Sequence, residues 1–101
     1  AFSGSLNALF AAAAAHVASL TRLSNTDKLR VYALYKQATV GPCVEPKPRL
    51  MDGVTKHAKW SAWSELSATG VGRDDAKHAY IELVESLSGR AGAIPASSAS
   101  A

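Results

Sequence analysis

Apolar side chains recur at helical spacing in four stretches of the chain. In the first stretch Leu6, Phe10 and Val17 fall on one face, and alanine fills most of the other positions. In the fourth, Ala76 and Tyr80 begin a similar stripe. The pattern predicts four helices, at residues 5–20, from a cap among residues 24–26 to residue 40, at residues 56–66, and from residue 73 to residue 88.

Glycine and proline mark where these helices end. Gly41, followed by a proline, is predicted to end the second helix, and Gly89 the fourth. Residues 41–54 contain three prolines and no alternating pattern, so they are predicted to form a long loop. We expect Leu50 and Met51 to anchor that loop in the core.

The fold class predicted from this pattern is an all-α four-helix bundle, because no segment alternates as a strand does. The long loop between the second and third helices permits an order other than up-down-up-down. We expect one folded domain over residues 1–88. Residues 89–101 are small and polar, and we predict that they form a disordered tail.

Composition limits the class of ligand. The chain has 101 residues, 48% of them hydrophobic and 19% charged, as in an ordinary single globular domain. Its net charge of +3 favours an anionic ligand, but no dense Lys/Arg stripe typical of a nucleic-acid binder is present. The single cysteine, Cys43, cannot form an internal disulfide, which favours a reducing compartment.

The alanine-rich N-terminal region could be mistaken for a targeting segment. Residues 1–15 contain no Lys or Arg, so the basic part of a signal peptide is missing. No apolar run approaches the ~20 residues that a membrane-spanning helix needs. We therefore expect a cytoplasmic protein without stable membrane insertion. Because the chain starts at Ala1 and not at methionine, a removed upstream targeting segment stays open.

Two groups of lysines and aromatic rings are candidates for binding a ligand. Tyr32, Tyr35 and Lys36 are neighbours on the second helix, and Lys59 and Trp60 lie together on the third. A ring can stack on a nucleotide base while a lysine meets a phosphate. The same residues also fit a half-buried edge of the core whose lysines cover the rings.

Catalytic and metal-binding patterns are missing from the sequence. His16, His57 and His78 are dispersed over three predicted helices without a pair at helical spacing, which argues against a metal site. Cys43 has no histidine near it in the sequence, and Asp74, next to a second aspartate, is explained by the start of a helix. We predict a binding protein that is not an enzyme and needs no cofactor.

Three blocks of sequence resemble the acyl-CoA-binding protein family. Residues 32–41 read YALYKQATVG, residues 58–63 read AKWSAW, and residues 76–81 read AKHAYI. The family pattern has YxxYKQAT-x-G, then KAKWxAW, then a helix with Ala-x-x-x-Tyr-Ile, in this order. The resemblance covers roughly residues 6–88. It implies a four-helix bundle in the order up-down-down-up.

The resemblance also implies roles for individual residues. Tyr32, Lys36, Lys59 and Tyr80 match positions that contact the coenzyme A head group, the lysines at the ribose 3′-phosphate and the tyrosines around the adenine. Trp60 matches a tryptophan close to the ligand. Phe10 fits the aromatic residue of the first helix, and Phe10, Ala14 and Leu29 are candidates for contact with the hydrocarbon tail.

Two lysines that are common in the family are absent from this chain. One, late in the first helix, corresponds to Ala18, and another, shortly before Lys59, corresponds to Thr55. The remaining candidates for compensating head-group contacts are Arg22, Lys56 and His57.

The function implied is non-enzymatic binding of long-chain fatty acyl-CoA by a monomer that carries or buffers it. Two alternatives stay open. A nucleic-acid-binding module would use the same lysines and tyrosines for phosphates and bases. A protein-interaction module would use the helical stripes as a docking face.

Overall fold

A computed structural model describes residues 5–90 of the chain, with side chains described for residues 5–89. Within that range the regular elements are helical and no strand is present. Helices and a short 3₁₀ turn follow in the order α1 (Leu6–Val17), α2 (Asn25–Thr39), the turn (Leu50–Asp52), α3 (Val54–Ala68) and α4 (Arg73–Arg90). None of the helices in the described range is long and apolar enough to cross a membrane.

The helix ends are fixed by local hydrogen bonds. Ser5 caps α1, and Ser24, among the three candidates for the cap of α2, accepts a hydrogen bond from the backbone N–H of Asp27 (3.0 Å). Gly41 follows α2 with φ of 101°, a conformation that favours glycine. Arg73 donates from Nη2 to the carbonyl oxygen of Val40 (2.7 Å), so the start of α4 is joined to the end of α2.

Contacts across the bundle give the direction of three helices. The ring of Phe10 packs on Tyr80, and His16 is hydrogen-bonded to Ser88. The residue numbers rise together, so α1 and α4 run in the same direction. Tyr35 also contacts Tyr80, whereas Val40 contacts Arg73. There the numbers run oppositely, so α2 is antiparallel to α4.

The direction of α3 follows from its contacts with α2. Lys59 lies over Tyr32, and Lys36 lies over Trp63, so α2 and α3 are parallel. The helices therefore run up-down-down-up, as the family resemblance implied. This order places the beginnings of α2 and α3 at the same end of the bundle.

The core lies where α4 packs against α1 and α2, and α3 packs against α2. Trp63, Tyr80 and Leu87 are almost completely buried. Small side chains let the helices approach closely. The central buried cluster consists of Phe10, Ala13, Ala38, Ala76, Tyr80 and Val84.

A buried polar chain ties α2 to α3 and to the turn before α4. Gln37 is 1% exposed, and its Nε2 donates to the carbonyl oxygen of Val71 (2.8 Å). Ser67 donates to Oε1 of Gln37 (2.8 Å), and the backbone N–H of Cys43 donates to Oγ of Ser67 (2.8 Å). Each polar group is thereby paired, which removes the penalty for burying it.

The structure corrects several details of the sequence interpretation. Leu50 and Met51 do not anchor the loop in the core, because their side chains are 94% and 83% exposed. α3 is longer than predicted, and α4 continues through Gly89 to Arg90. The predicted disordered tail therefore begins inside a helix, and its residues 91–101 lie outside the described range.

Candidate functional site

Two lysines and two aromatic rings meet between α2 and α3. Nζ of Lys59 lies 5.4 Å from the ring centroid of Tyr32, and Nζ of Lys36 lies 4.8 Å from the ring of Trp63. Tyr32 and Lys36 are one turn apart on α2, and Lys59 and Trp63 are one turn apart on α3. Because the two helices are parallel, these four residues form one cluster, which we call the cation–ring cluster.

The loop after α2 is fastened onto α3 by two tryptophans. The indole N–H of Trp63 donates to the carbonyl oxygen of Gly41 (3.0 Å), and that of Trp60 donates to the carbonyl oxygen of Glu45 (2.8 Å). Both indoles thus fix the path of the backbone. The loop residues that follow form a wall beside the cation–ring cluster.

A hollow of about 410 Å³ opens between that loop and α3, and we call it the basic hollow. Its lining combines four cationic side chains with the rings of Tyr32 and Trp60. Cations beside rings suit a phosphorylated nucleotide. The cationic residues are Lys47, Arg49, Lys56 and Lys59, and the remaining lining residues are Glu45, Pro46, Pro48 and Asp52.

A second hollow of about 240 Å³ lies between the beginnings of α2 and α3, and we call it the apolar hollow. Leu29, Val54 and Ala58 supply its hydrocarbon surface. Lys59 lines both hollows, so they meet at this residue. The others in its lining are Asn25, Lys28 and Thr55.

The surroundings of Tyr32 favour the neutral form of its phenol. Its pKa is raised, first by burial and then by electrostatic interaction with Glu45 and, to a smaller extent, Cys43. At physiological pH the hydroxyl keeps its proton, as in an ordinary tyrosine, and can donate a hydrogen bond to an anionic ligand.

Tyr80 and Phe10, which the resemblance matched to ligand positions, are buried inside the bundle. They are 1% and 8% exposed, so in this structure neither presents its ring to a ligand in solution. Their rings instead support Tyr35, with centroids 5.9 Å and 5.5 Å from it. Tyr35 is 41% exposed and is the member of this group that a ligand can reach.

Other predicted residues are distributed over the surface and the core. Ala14 packs against the central buried cluster and lines neither hollow, whereas Leu29 and Lys56 each line one of them. Arg22 is exposed and lines none of the hollows described here. His57 is hydrogen-bonded through Nε2 to the carbonyl oxygen of Arg49 (2.7 Å) and so helps to hold the loop.

The sequence analysis did not predict that the loop after α2 contributes residues to the basic hollow. Lys47 and Arg49 were not candidates, because nothing in their spacing indicates that the loop folds back onto α3. Trp63 was known to lie one turn after Trp60, but its position under Lys36 depends on the parallel arrangement of α2 and α3. Among the described residues, no group of three or more His, Cys, Asp and Glu could hold a metal ion.

The comparisons with known proteins agree with this geometry. The family model described as "Acyl CoA binding protein" matches residues 7–84. Acyl-CoA-binding protein homolog 1 of Caenorhabditis elegans is 49% identical over 82 residues, which cover 80% of this chain and 92% of that protein. Enoyl-CoA delta isomerase 2 of Rattus norvegicus is 53% identical over 64 residues. That match covers 63% of this chain but only 16% of the isomerase.

Solved structures show the same fold. The crystal structure of Oryza sativa acyl-CoA-binding protein 2 superimposes with a TM-score of 0.81 at 35% identity, covering 89% of this chain and 98% of the rice chain. The solution structure of the acyl-CoA-binding protein from Babesia bovis gives a TM-score of 0.70 at 38% identity, with 87% and 98% covered. With its family model, its relatives and its fold in agreement, this chain belongs to the acyl-CoA-binding protein family.

Proposed function

We propose that this chain binds long-chain fatty acyl-CoA thioesters reversibly and without changing them chemically. The observation that carries the proposal is the meeting of two unlike hollows at Lys59. One offers cations and rings, and the other offers hydrocarbon. A fatty acyl-CoA has matching parts, a phosphorylated adenosine head group and an apolar tail.

The head group would occupy the basic hollow. Lys59 and Lys56 supply positive charge for the phosphates, and the rings of Tyr32 and Trp60 offer surfaces for the adenine. Lys36 does not line the hollow in this structure, but it lies one helical turn from Tyr32. Its flexible stem would let the ammonium leave the ring of Trp63 for a phosphate.

The hydrocarbon tail would lie in the apolar hollow against Leu29 and Ala58. Thr55 lines this hollow where the family often has a lysine. Each methylene that leaves water contributes roughly 0.8 kcal/mol, so affinity should rise about fourfold per carbon until the hollow is filled.

Calorimetry with coenzyme A, palmitoyl-CoA and palmitate separates the two halves of this proposal. We expect palmitoyl-CoA to bind more tightly than either fragment, since only the thioester fills both hollows. Equal affinity for palmitate and palmitoyl-CoA would refute a role for the basic hollow. Equal affinity for coenzyme A and palmitoyl-CoA would refute a role for the apolar hollow.

The cellular role proposed is carriage and buffering of the thioester by a cytoplasmic monomer. Binding that leaves the ligand intact would show in mass spectra of palmitoyl-CoA recovered after long incubation with the protein. Hydrolysed or isomerised ligand would contradict the proposal. Sedimentation with and without ligand tests the monomer, and cell fractionation tests the compartment.

A further inference from the structure

Three large apolar side chains are exposed where α3 begins. Leu50 and Met51 belong to the 3₁₀ turn, Val54 is the first residue of α3, and their exposed fractions are 94%, 83% and 85%. Single exposed apolar residues are ordinary, but three within five positions form a patch. We call these three residues the apolar tip.

The apolar tip is held out by local bonding. The backbone N–H of Arg49 donates to Oδ2 of Asp52 (2.8 Å), and the guanidinium of Arg49 pairs with the same carboxylate (3.7 Å). His57 is hydrogen-bonded to the carbonyl oxygen of Arg49, which joins the turn to α3. Leu50 and Met51 line none of the hollows described above, so the ligand site does not explain their exposure.

Cationic side chains flank the apolar tip on both sides in the sequence. Lys47 and Arg49 precede it, and Lys56 follows it. Lys47 and Lys56 form no ion pair within residues 5–89, so their charges are available to an anionic surface. At a bilayer, apolar side chains enter the boundary of the acyl chains while Lys and Arg meet anionic head groups.

The size of the patch favours a lipid surface over a protein partner. A stable protein interface takes about 20–30 residues from each side, with a well-packed apolar centre. The apolar tip provides only three exposed side chains. A bilayer needs no complementary shape, and a few apolar residues combined with basic ones give reversible binding.

We propose that the apolar tip docks this protein reversibly on anionic lipid bilayers. Val54 belongs to the apolar tip and also lines the apolar hollow, so docking brings the opening of that hollow to the membrane surface. An acyl chain leaving the bilayer would then cross less water on its way to Leu29. The docking itself does not depend on the ligand proposed above.

Flotation of the ligand-free protein with lipid vesicles tests the proposal. We expect the protein to float with phosphatidylcholine vesicles that contain phosphatidylserine and to bind pure phosphatidylcholine much more weakly. The double variant Leu50→Ser/Met51→Ser should weaken binding about tenfold or more, since it removes two apolar side chains from the membrane contact. Val40→Ser is the matched control, because Val40 is an exposed apolar residue at the other end of α2.

Three results would overturn the docking. The first is equal vesicle binding by the wild-type protein and the double variant, and the second is no binding by the wild-type protein at any phosphatidylserine content. The third is a wild-type dimer that the double variant dissociates, since the apolar tip would then be an interface between copies. The single variant Leu50→Gln provides the same comparison should the double variant be unstable.

Binding of dodecanoyl-CoA without vesicles distinguishes this proposal from the ligand site. The double variant should keep its affinity for this ligand, because neither substituted residue lines a hollow. A wild-type protein that floats with the vesicles but binds neither dodecanoyl-CoA nor palmitoyl-CoA would support docking and refute the proposed function.

Discussion

Replacing Lys59 with alanine tests the point where the two hollows meet. Lys59 is exposed, and its ammonium lies over Tyr32 in the ligand-free protein. An exposed cation–π contact contributes about 0.5–1 kcal/mol, and a domain of this size loses roughly 4–8 °C in Tm per kcal/mol. The Lys59→Ala variant should therefore remain folded, with its Tm lowered by no more than about 8 °C.

The effect on ligand binding should be larger. A hydrogen bond to a charged group contributes roughly 1.5–3 kcal/mol, so losing the contact between Lys59 and a phosphate should weaken acyl-CoA binding roughly 10- to 150-fold. Calorimetry with palmitoyl-CoA measures the loss. A ligand without the ribose 3′-phosphate should show a smaller loss if Lys59 contacts that group.

A second lysine serves as the control for this experiment. Lys77 lies on α4, is bonded through Nζ to Oδ1 of Asn7 (2.6 Å), and lines none of the described hollows. Lys77→Gln changes the net charge by the same amount and should leave the affinity within about twofold. A loss below twofold for Lys59→Ala, or an equal loss for Lys77→Gln, would refute the assignment of Lys59 to the head group.

Three further predictions concern stability. Burial, with the charge of Tyr35, raises the pKa of Tyr80 above its usual 10.0. The contribution of the neutral phenol to the free energy of unfolding is therefore fully present below pH 10.0 and is lost as pH rises through the raised pKa. Thermal unfolding at increasing pH should show this decline in Tm, and Tyr80→Phe should make the decline smaller. Gly41→Ala should lower the free energy of unfolding by about 1–3 kcal/mol, because φ is 101° and the new Cβ would lie 3.1 Å from Nε of Arg73. An unchanged denaturant midpoint would refute this reasoning. Gln37→Leu should lower the free energy of unfolding by about 1–3 kcal/mol, because the carbonyl oxygen of Val71 would lose its hydrogen bond. A Tm equal to that of the wild-type protein would contradict a stabilising role for the buried polar chain.

The helical spacing of apolar residues, together with the capping residues, glycines and prolines, was enough to predict the helices. The caps and breaks at Ser24 and Gly41 act on the nearest few residues, so their effect can be read locally. The direction of α3 is not local, since it depends on which face of α2 it packs against. The resemblance supplied the up-down-down-up order, and the contacts of Tyr32 with Lys59 and of Lys36 with Trp63 confirm it.

The solvent exposure of individual side chains was the property least well predicted from the sequence. Leu50 and Met51 were expected in the core because apolar residues usually gain by leaving water. The bonds around Arg49 and Asp52 hold the turn outward instead. The resemblance matched Tyr80 to a position that contacts the head group, and its place at the ligand stays a prediction, but spacing did not indicate that its ring packs between Phe10 of α1 and Tyr35 of α2. Such outcomes depend on tertiary packing, which spacing along one helix does not reveal.

The parallel course of α2 and α3 makes the length of their connection a geometric necessity. With 15 residues at a rise of 1.5 Å each, α2 is about 22 Å long, and the chain must return over that distance before α3 begins. An extended chain covers at most about 3.3–3.6 Å per residue, so a link shorter than about seven residues could not make the return. Shortening the loop to a tight hairpin would force α3 to reverse, and Lys59 would then leave Tyr32 for the opposite end of α2.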